Sequence, residues 1–481
     1  MTKKLFGTDG IRGIANTFPI DIETISTISK AIINYLNNIY NNNLNLKKIK
    51  NLKKIKIAIA KDTRFSKKII ENQLISSINS LNCDVIKLGI IPTPALAFLT
   101  KKLNCDMGIM ISASHNPYQD NGIKLFDSNG LKLSDTQEEK IEEEILKELN
   151  KQKNEINEKI NYIKNDNKKQ ILKKEITEIG KTFYYKSAKK DYIEFAKKTI
   201  NNLSLDKLKI AIDCANGASY FVAPIIFKSL NSDLITINNT PDGKNINKNC
   251  GSQHLENLKK IVLENNCDIG IAFDGDADRV IFIDEKGSEI DGDSIMAICA
   301  IYLKENNILK NNCLVSTIMS NLGLKKTLKK YNINFIETNV GDKYVVEEMI
   351  KNNYNFGGEQ SGHIIFFDYS TTGDGIISAL QLLKIIIEKN EKLSEISKIL
   401  EKYPQSLLNL EVKEKKEIDK IPLLKETLEK INKEINGDGR IVVRYSGTQN
   451  IIRIMSENPK KEKNDFYTSE IEKIIKREIG I

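Results

Sequence analysis

Asp274, Asp276 and Asp278 stand at alternate positions in the segment DGDADR, between the apolar runs IGIAF and VIFI. In an extended segment such residues point to one side, so three carboxylates converge. Their mutual repulsion is costly unless a cation sits among them. A hard, all-oxygen donor set suits Mg²⁺, which commonly takes a phosphate oxygen as well. An EF-hand does not fit: Arg279 occupies the sixth position, where that loop needs glycine, and the flanks are β-like, although Glu285 falls on the twelfth. An aspartyl-phosphate phosphatase would use the first Asp as nucleophile, and its motif has Thr or Val where Asp278 stands.

A serine loop is the second centre. Ser112-Ala113-Ser114-His115-Asn116-Pro117 follows the apolar run MGIMI, so a strand delivers Ser114 into a tight Asn-Pro turn. A Ser–His hydrolase needs a GxSxG elbow or an equivalent oxyanion site, and neither is present. Beside metal and phosphate signals, Ser114 reads as a phosphoryl carrier, with His115 next to it as a catalytic candidate. Lys124 lies ten residues further on, on the returning strand, which brings its ammonium back toward the reacting oxygens. Arg12, set between glycines in TDGIRG, is within reach of a phosphoserine, and Lys61-Asp62-Thr63-Arg64 is a second basic segment of that kind.

Two more loops complete the set. In Gly357-Gly358-Glu359-Gln360-Ser361-Gly362-His363, Glu359 and Ser361 can hydrogen-bond vicinal sugar hydroxyls. Arg444-Tyr445-Ser446-Gly447-Thr448-Gln449-Asn450 with Arg453 offers two guanidinium groups, two hydroxyls and a glycine turn. A phosphate dianion is bound by such bidentate, charge-assisted donors and backbone N–H groups.

These loops must be held by a repeated framework. KIKIAIA at 54–60, KLKIAID at 207–213 and NCLVSTIM at 312–319 are β-like runs, each followed by a helical stretch. A second element recurs as CDMGIMISASHNP from Cys105 and CDIGIAFDGDADR from Cys267, with a fainter echo, NFGGEQSGHIIFF, from Asn355. Each reads strand, polar loop, strand, and the first two returning strands end in the turn signals DSNG and DEKG. Strands alternating with amphipathic helices predict α/β layers with mixed sheets. Three related α/β domains would then present their polar loops to one central cleft. After about residue 403 the pattern changes to a helical stretch and two strands around a glycine turn, DGRIVVRYSGTQNIIRIMSEN, a smaller C-terminal α+β domain. The Asn/Lys run at 37–54 reads as a loop insertion, and 135–176 as a solvated helical excursion.

The chain has 481 residues, enough for about three or four domains. Its charge of +9 comes from 73 basic and 64 acidic residues spread along the chain, and no basic stretch carries interleaved aromatics, so no nucleic acid is expected as partner. Seven scattered cysteines without a CxxC pair argue against a disulfide framework or zinc cluster and fit a reducing compartment. The start MTKKLFGTDG has no apolar signal core, and the longest apolar run, near 295–303, is too short to span a membrane. A cytoplasmic protein without a membrane partner is expected.

In chain order, GTDGIRG at 7–13, SASHNP at 112–117, DGDADR at 274–279, GEQSGH at 358–363 and RYSGTQNIIR at 444–453 resemble the α-D-phosphohexomutase superfamily. The ordered set spans nearly the whole chain and is far more specific than any single member. The resemblance implies four domains, here 1–185, 186–293, 294–403 and 404–481. It implies that Ser114 carries the phosphoryl group and is itself among the metal ligands with Asp274, Asp276 and Asp278, for one Mg²⁺ per chain. Glu359 and Ser361 would grip the sugar. Arg444, Ser446, Gly447, Thr448 and Arg453 would grip the non-reacting phosphate, while Lys124 and His363 would be acid/base candidates. The implied reaction passes the phosphoryl group of Ser114 to the 1-hydroxyl of a hexose 6-phosphate, through a bisphosphorylated sugar. Priming of Ser114 would come from a hexose 1,6-bisphosphate or a kinase. A hexosamine phosphate is the expected substrate, ahead of glucose or mannose phosphate, in a monomer or homodimer. A silent sugar-phosphate sensor would have lost Ser114 or a metal Asp, and all are present. Departures from the family pattern are Gln449-Asn450 in place of Glu-Pro, Lys343 in place of Arg, and longer segments at 37–54 and 150–180.

Overall fold

The computed structural model describes residues 5–42, 54–164, 178–446 and 450–480. The short β-branched runs become strands as their composition dictates. The N-terminal hairpin β1 (Phe6–Gly7) and β2 (Gly10–Ile14) joins β3 (Lys56–Lys61), β4 (Asp84–Ile90), β5 (Met107–Ile111), β6 (Asp120–Asp127) and β7 (Thr182–Tyr184) in a seven-stranded sheet ordered β1-β2-β6-β5-β3-β4-β7. A second sheet holds β8 (Lys209–Asp213), β9 (Asp233–Ile237), β10 (Ile269–Phe273), β11 (Val280–Asp284) and β12 (Glu289–Ile290), ordered β12-β11-β10-β8-β9. The third holds β13 (Cys313–Thr317), β14 (Asn334–Thr338), β15 (Phe356–Gly358) and β16 (Ile364–Phe366), ordered β14-β13-β15-β16.

One plan underlies all three. A central strand has a parallel neighbour on each side, and the second neighbour is followed by an antiparallel return strand: β4-β3-β5-β6, β9-β8-β10-β11 and β14-β13-β15-β16. Parallel pairing needs long crossovers, which the helices supply. The polar loops at 112–119, 274–279 and 359–363 therefore occupy the same structural position, between a buried parallel strand and its return strand. β5, β10 and β13 are buried along their whole length, as strands covered on both faces must be.

The apolar run near 295–303 lies in the helix Gly292–Glu305, buried from Gly292 through Leu303. A helix apolar on all sides belongs in a core. It starts at Asp291, whose side chain accepts from the Ser294 N–H. One continuous core runs through the three units, including Met110 and Phe126, Ile212 and Phe273, and Phe356 and Leu380. The C-terminal unit has a separate core around Ile452, Ile454, Tyr467 and Ile471. It is an antiparallel sheet of β17 (Gln405–Glu411), β18 (Arg440–Tyr445) and β19 (Ile451–Glu457), ordered β17-β19-β18. Helices Pro422–Ile435 and Lys461–Glu478 accompany it. Among the described residues, no helix is long and apolar enough to cross a membrane.

Three expectations change. Residues 37–42 continue the helix Ile22–Asn42 and are not a loop, while 43–53 lie outside the described residues. The helix Asp135–Lys164 is no mere solvated excursion, because its Ile141 and Ile145 are buried in one core with Ile25, Ile28 and Ile32 of the first helix; 165–177 lie outside the described residues. The C-terminal unit has a third strand, β17, beyond the two expected.

Candidate active site

The left-handed backbone of Ser114, with φ 52°, turns the chain sharply after β5 and leaves the side chain only 1% exposed. A non-glycine residue held at positive φ is strained and is retained where the surroundings over-determine it. Those surroundings are polar and buried. Ser112 Oγ accepts from the Ser114 N–H at 3.0 Å and donates to Asp62 at 2.7 Å. Asn247 donates to the Ser114 carbonyl at 2.8 Å. Arg64, fully buried, bonds Asp62 and the carbonyls of Ser114, Asn116, Pro117 and Asp120. Arg64 thus anchors the loop's backbone and does not face the serine hydroxyl, contrary to the sequence reading. Lys61 pairs with Glu71.

The hydroxyl of Ser114 donates to Asp274 Oδ2 at 2.6 Å. Gly275 makes that approach possible, since a Cβ there would lie 2.5 Å from the Ser114 carbonyl oxygen. Asp274, Asp276 and Asp278 are all buried, and each offers an oxygen within 4.8 Å of the others. Asp276 Oδ2 accepts from Thr93 at 2.6 Å and from Lys124 at 2.7 Å, and Asp278 Oδ2 accepts from Lys124 at 3.1 Å. The other oxygens, Asp276 Oδ1 and Asp278 Oδ1, have no hydrogen-bond partner, although His363 Nδ1 lies 3.7 Å from the latter. Buried orphan carboxylate oxygens beside a third carboxylate and a hydroxyl fit a small hard cation. The acidic trio is therefore a group that can hold a metal ion.

Burial, together with the charges of Asp278 and Asp276, pushes the Asp274 carboxyl well above its usual range. Burial acts the same way on Asp278, but Lys124 and His363 outweigh it and hold that carboxyl well below. Burial opposes the charge on Lys124, yet Asp276, Asp278 and Asp9 keep the ammonium protonated. His115 stands 3.5 Å from Ser114 Oγ and 3.2 Å from Arg279 Nη1. Burial and the Arg279 and Arg12 charges push it down to about 3, so it is neutral near pH 7.

His363 differs from expectation. It is buried behind Asp278 and, like Ser114 and the acidic trio, is not among the residues that line the cleft; its ring nitrogens are taken up by protein groups. Its Nε2 lies 3.0 Å from Asp342 and its Nδ1 3.7 Å from Asp278, and the Gly373 amide also approaches Nε2 at 2.9 Å. Burial opposes its charge, but the two carboxylates raise it to about 10. Held between Asp278 and Asp342, the ring steadies both carboxylates. The ring fits only because residue 373 is glycine, where a Cβ would sit 2.4 Å from it.

A cleft of about 1190 Å³ lies beside these groups, lined by their chain neighbours His115, Asn116 and Arg279, while Ser114, Lys124 and the acidic trio are buried and are not among its lining residues. Arg12 and His115 from the first unit, Arg279 from the second, Glu359 and Ser361 from the third, and Arg444 and Arg453 from the fourth line it. Arg12 is paired with Asp9. Glu359 accepts from the Gly341 N–H at 3.1 Å, while Ser361 Oγ, Arg279 Nε and Arg444 Nε are buried without partners. Arg444 and Arg453 are directly opposite across β18 and β19. Burial and then the Arg453 charge lower the affinity of Arg444 for its proton. Ser446 is buried at the end of β18, and its carbonyl accepts from Lys415 at 2.7 Å. Gly447 and Thr448 lie outside the described residues. Sequence reasoning passed over Asp9, Asp62, Thr93, Lys132, Asn247, Arg279 and Asp342. Only Asp9, Asp62 and Arg279 sat in motifs already singled out, and partners so distant leave no spacing signature.

The chain matches, over residues 3–152, 190–287, 291–403 and 407–474, the alpha/beta/alpha domains I, II and III and the C-terminal domain of phosphoglucomutase/phosphomannomutase. It belongs to that family, whose members are isomerase-class phosphotransferases. Within the family it is 43% identical over 479 residues to the phosphoglucosamine mutase of Protochlamydia amoebophila, covering 99% of this chain and 98% of that one. Its fold is that of a phosphoglucomutase/phosphomannomutase family protein from Burkholderia thailandensis, with TM-score 0.75 at 18% identity over 98% of this chain and 99% of the other. An Aspergillus fumigatus N-acetylphosphoglucosamine mutase, solved with GlcNAc-6P and magnesium, is similar at TM-score 0.59 and 19% identity over 80% of this chain and 92% of that one.

Proposed function

We propose that the chain interconverts glucosamine 6-phosphate and glucosamine 1-phosphate by way of phosphorylated Ser114. The observation that carries this is the placement of the Ser114 hydroxyl 2.6 Å from Asp274 in a three-carboxylate cluster, beside a cleft lined by arginines. The extent of identity to a phosphoglucosamine mutase supports the amino sugar.

In this reading the bond from phosphorus to Ser114 Oγ breaks as one forms to the oxygen of the sugar 1-hydroxyl, whose proton ends on the freed Ser114 Oγ, and the return transfer to Ser114 takes the other phosphate with the proton moving back to the sugar oxygen. Such transfers need positioning and charge stabilisation more than covalent help. Lys124, held protonated among carboxylates, supplies a fixed positive charge on the far side of the acidic trio. Asp274, Asp276 and Asp278 would hold Mg²⁺, which neutralises phosphoryl charge when bound. Glu359 and Ser361 face the sugar, and Arg444 and Arg453 face the phosphate that is not reacting. That phosphate is the 6-phosphate in one half-reaction and the 1-phosphate in the other, so the clamp accepts either. The division at 1–185, 186–293, 294–403 and 404–481 gives each step its own domain: carrier, metal, sugar and distal phosphate.

The test is a parallel assay of glucosamine 6-phosphate, glucose 6-phosphate and mannose 6-phosphate with the bisphosphate-primed enzyme. The expected result is the highest kcat/KM for the amino sugar with no release of inorganic phosphate. A preference for glucose or mannose would replace the substrate, and stoichiometric phosphate release would make the chain a phosphatase.

A further inference from the structure

Six buried or nearly buried side chains behind the cleft form a closed ring of alternating charge. Lys124 Nζ lies 2.8 Å from Asp9 Oδ2, and Asp9 Oδ1 lies 2.7 Å from Lys132 Nζ. Lys132 Nζ lies 2.7 Å from Asp342 Oδ2, which lies 3.0 Å from His363 Nε2. His363 Nδ1 is 3.7 Å from Asp278 Oδ1, and Asp278 Oδ2 closes the ring at 3.1 Å from Lys124. The first unit supplies three members, the second one and the third two.

Burying this many ionisable side chains is expensive, and apolar side chains of similar volume commonly stabilise a core better, so the ring calls for a reason other than stability. Lys132 and Asp342 are its far side: neither touches Ser114, the acidic trio or the cleft. Two arms leave them, one through Asp9 to Lys124 and one through His363 to Asp278. Both arms end on Asp278, one oxygen each. We propose that Lys132 and Asp342 are positioning residues, whose contact closes the ring and so fixes Lys124 and Asp278 for metal binding and phosphoryl transfer. The inference rests on the mutase reading for its kinetic arm only.

The experiment uses the full chain with Lys132→Met, Asp342→Asn, the double variant and Lys132→Arg. It reads kcat and KM for glucosamine 6-phosphate, and binding of Mn²⁺ to the unprimed enzyme without sugar. Each single loss is expected to lower kcat about 10-fold or more with little change in KM, as a misplaced reacting group does. Mn²⁺ binding should weaken in step, because outer partners of metal ligands typically contribute about 10-fold or more to affinity. The double variant should be no worse than the poorer single one, since a ring is opened only once, and Lys132→Arg should retain most of both properties. Independent losses that multiply, or unchanged kcat and Mn²⁺ affinity in a folded variant, overturn the proposal. If Lys132→Met does not fold, Asp342→Glu, which keeps the charge but moves it by one methylene, is expected to show the same kcat and Mn²⁺ losses, and full activity in it overturns the proposal. Should the wild type prove inactive on glucosamine 6-phosphate while the Mn²⁺ pattern holds, the substrate reading fails and the ring stands.

Discussion

Asp276 uses one carboxylate oxygen for Thr93 and Lys124 and leaves the other bare. An asparagine there would keep the shape but remove one of three negative charges. Asp276→Asn is therefore expected to weaken Mg²⁺ or Mn²⁺ binding and lower kcat together, each by about 10-fold or more. Calorimetric titration beside steady-state kinetics checks this, and a variant whose rate falls while metal binding is untouched would remove Asp276 from the ligand set. At this scale the sequence was legible where chemistry is packed into consecutive residues. Ser114 and the three aspartates stood out because they crowd into two short loops, but the aspartates converge through a turn, with Ala277 at φ 58° and its N–H bonded to the Asp274 carbonyl, and not through the strand alternation the sequence suggested. His363 was misjudged because its surroundings come from Asp278 and Asp342, far along the chain, and together they turn a candidate proton donor into a buried cation. Arg64 looked like a phosphate ligand for the same reason: four carbonyls absorb its donors.

The hairpin of β18 and β19 shows what an element adds. Its register sets Arg444 directly against Arg453. Like charges facing each other across strands destabilise a sheet, and Arg444 Nε has no partner, as the proposed anion clamp requires. Arg453→Ala should raise KM for the sugar phosphate about 10- to 100-fold with a smaller effect on kcat, since charge-assisted contacts to a non-reacting phosphate contribute chiefly to binding. Thermal unfolding should be unchanged or slightly raised, and a lower unfolding temperature with normal KM would make the arginine structural. The core strands were legible from their β-branched runs and recurring frame. β17 was not, because one of its leucines, Leu407, is 63% exposed and blurs the alternation. The many asparagines have in part a local use: Asn353, Asn390 and Asn436 end helices in the left-handed conformation, which asparagine tolerates better than most residues.

Over the whole molecule, one apolar core unites three units and a second belongs to the C-terminal unit alone. The contact between them is polar. Leu322 N–H donates to Glu457, and Arg440 bonds Glu337 and the Ser320 carbonyl. Polar interfaces of this kind permit relative motion of domains, which a clamp accepting two phosphates in turn requires. Arg440→Ala leaves Glu457 buried with one cation fewer. Faster amide exchange at residues 320–322 and 403–405 is expected, with a raised KM, and unchanged exchange would place the hinge elsewhere. This interface had no signature in the sequence, since Leu322–Glu457, Ser320–Arg440 and Glu337–Arg440 join residues more than a hundred positions apart.

The account as a whole turns on Ser114. Enzyme treated with isotopically labelled glucosamine 1,6-bisphosphate and digested for mass spectrometry should carry one labelled phosphoryl group on Ser114, and glucosamine 6-phosphate should chase it into sugar. Label on another residue, or on none while turnover continues, would contradict the account.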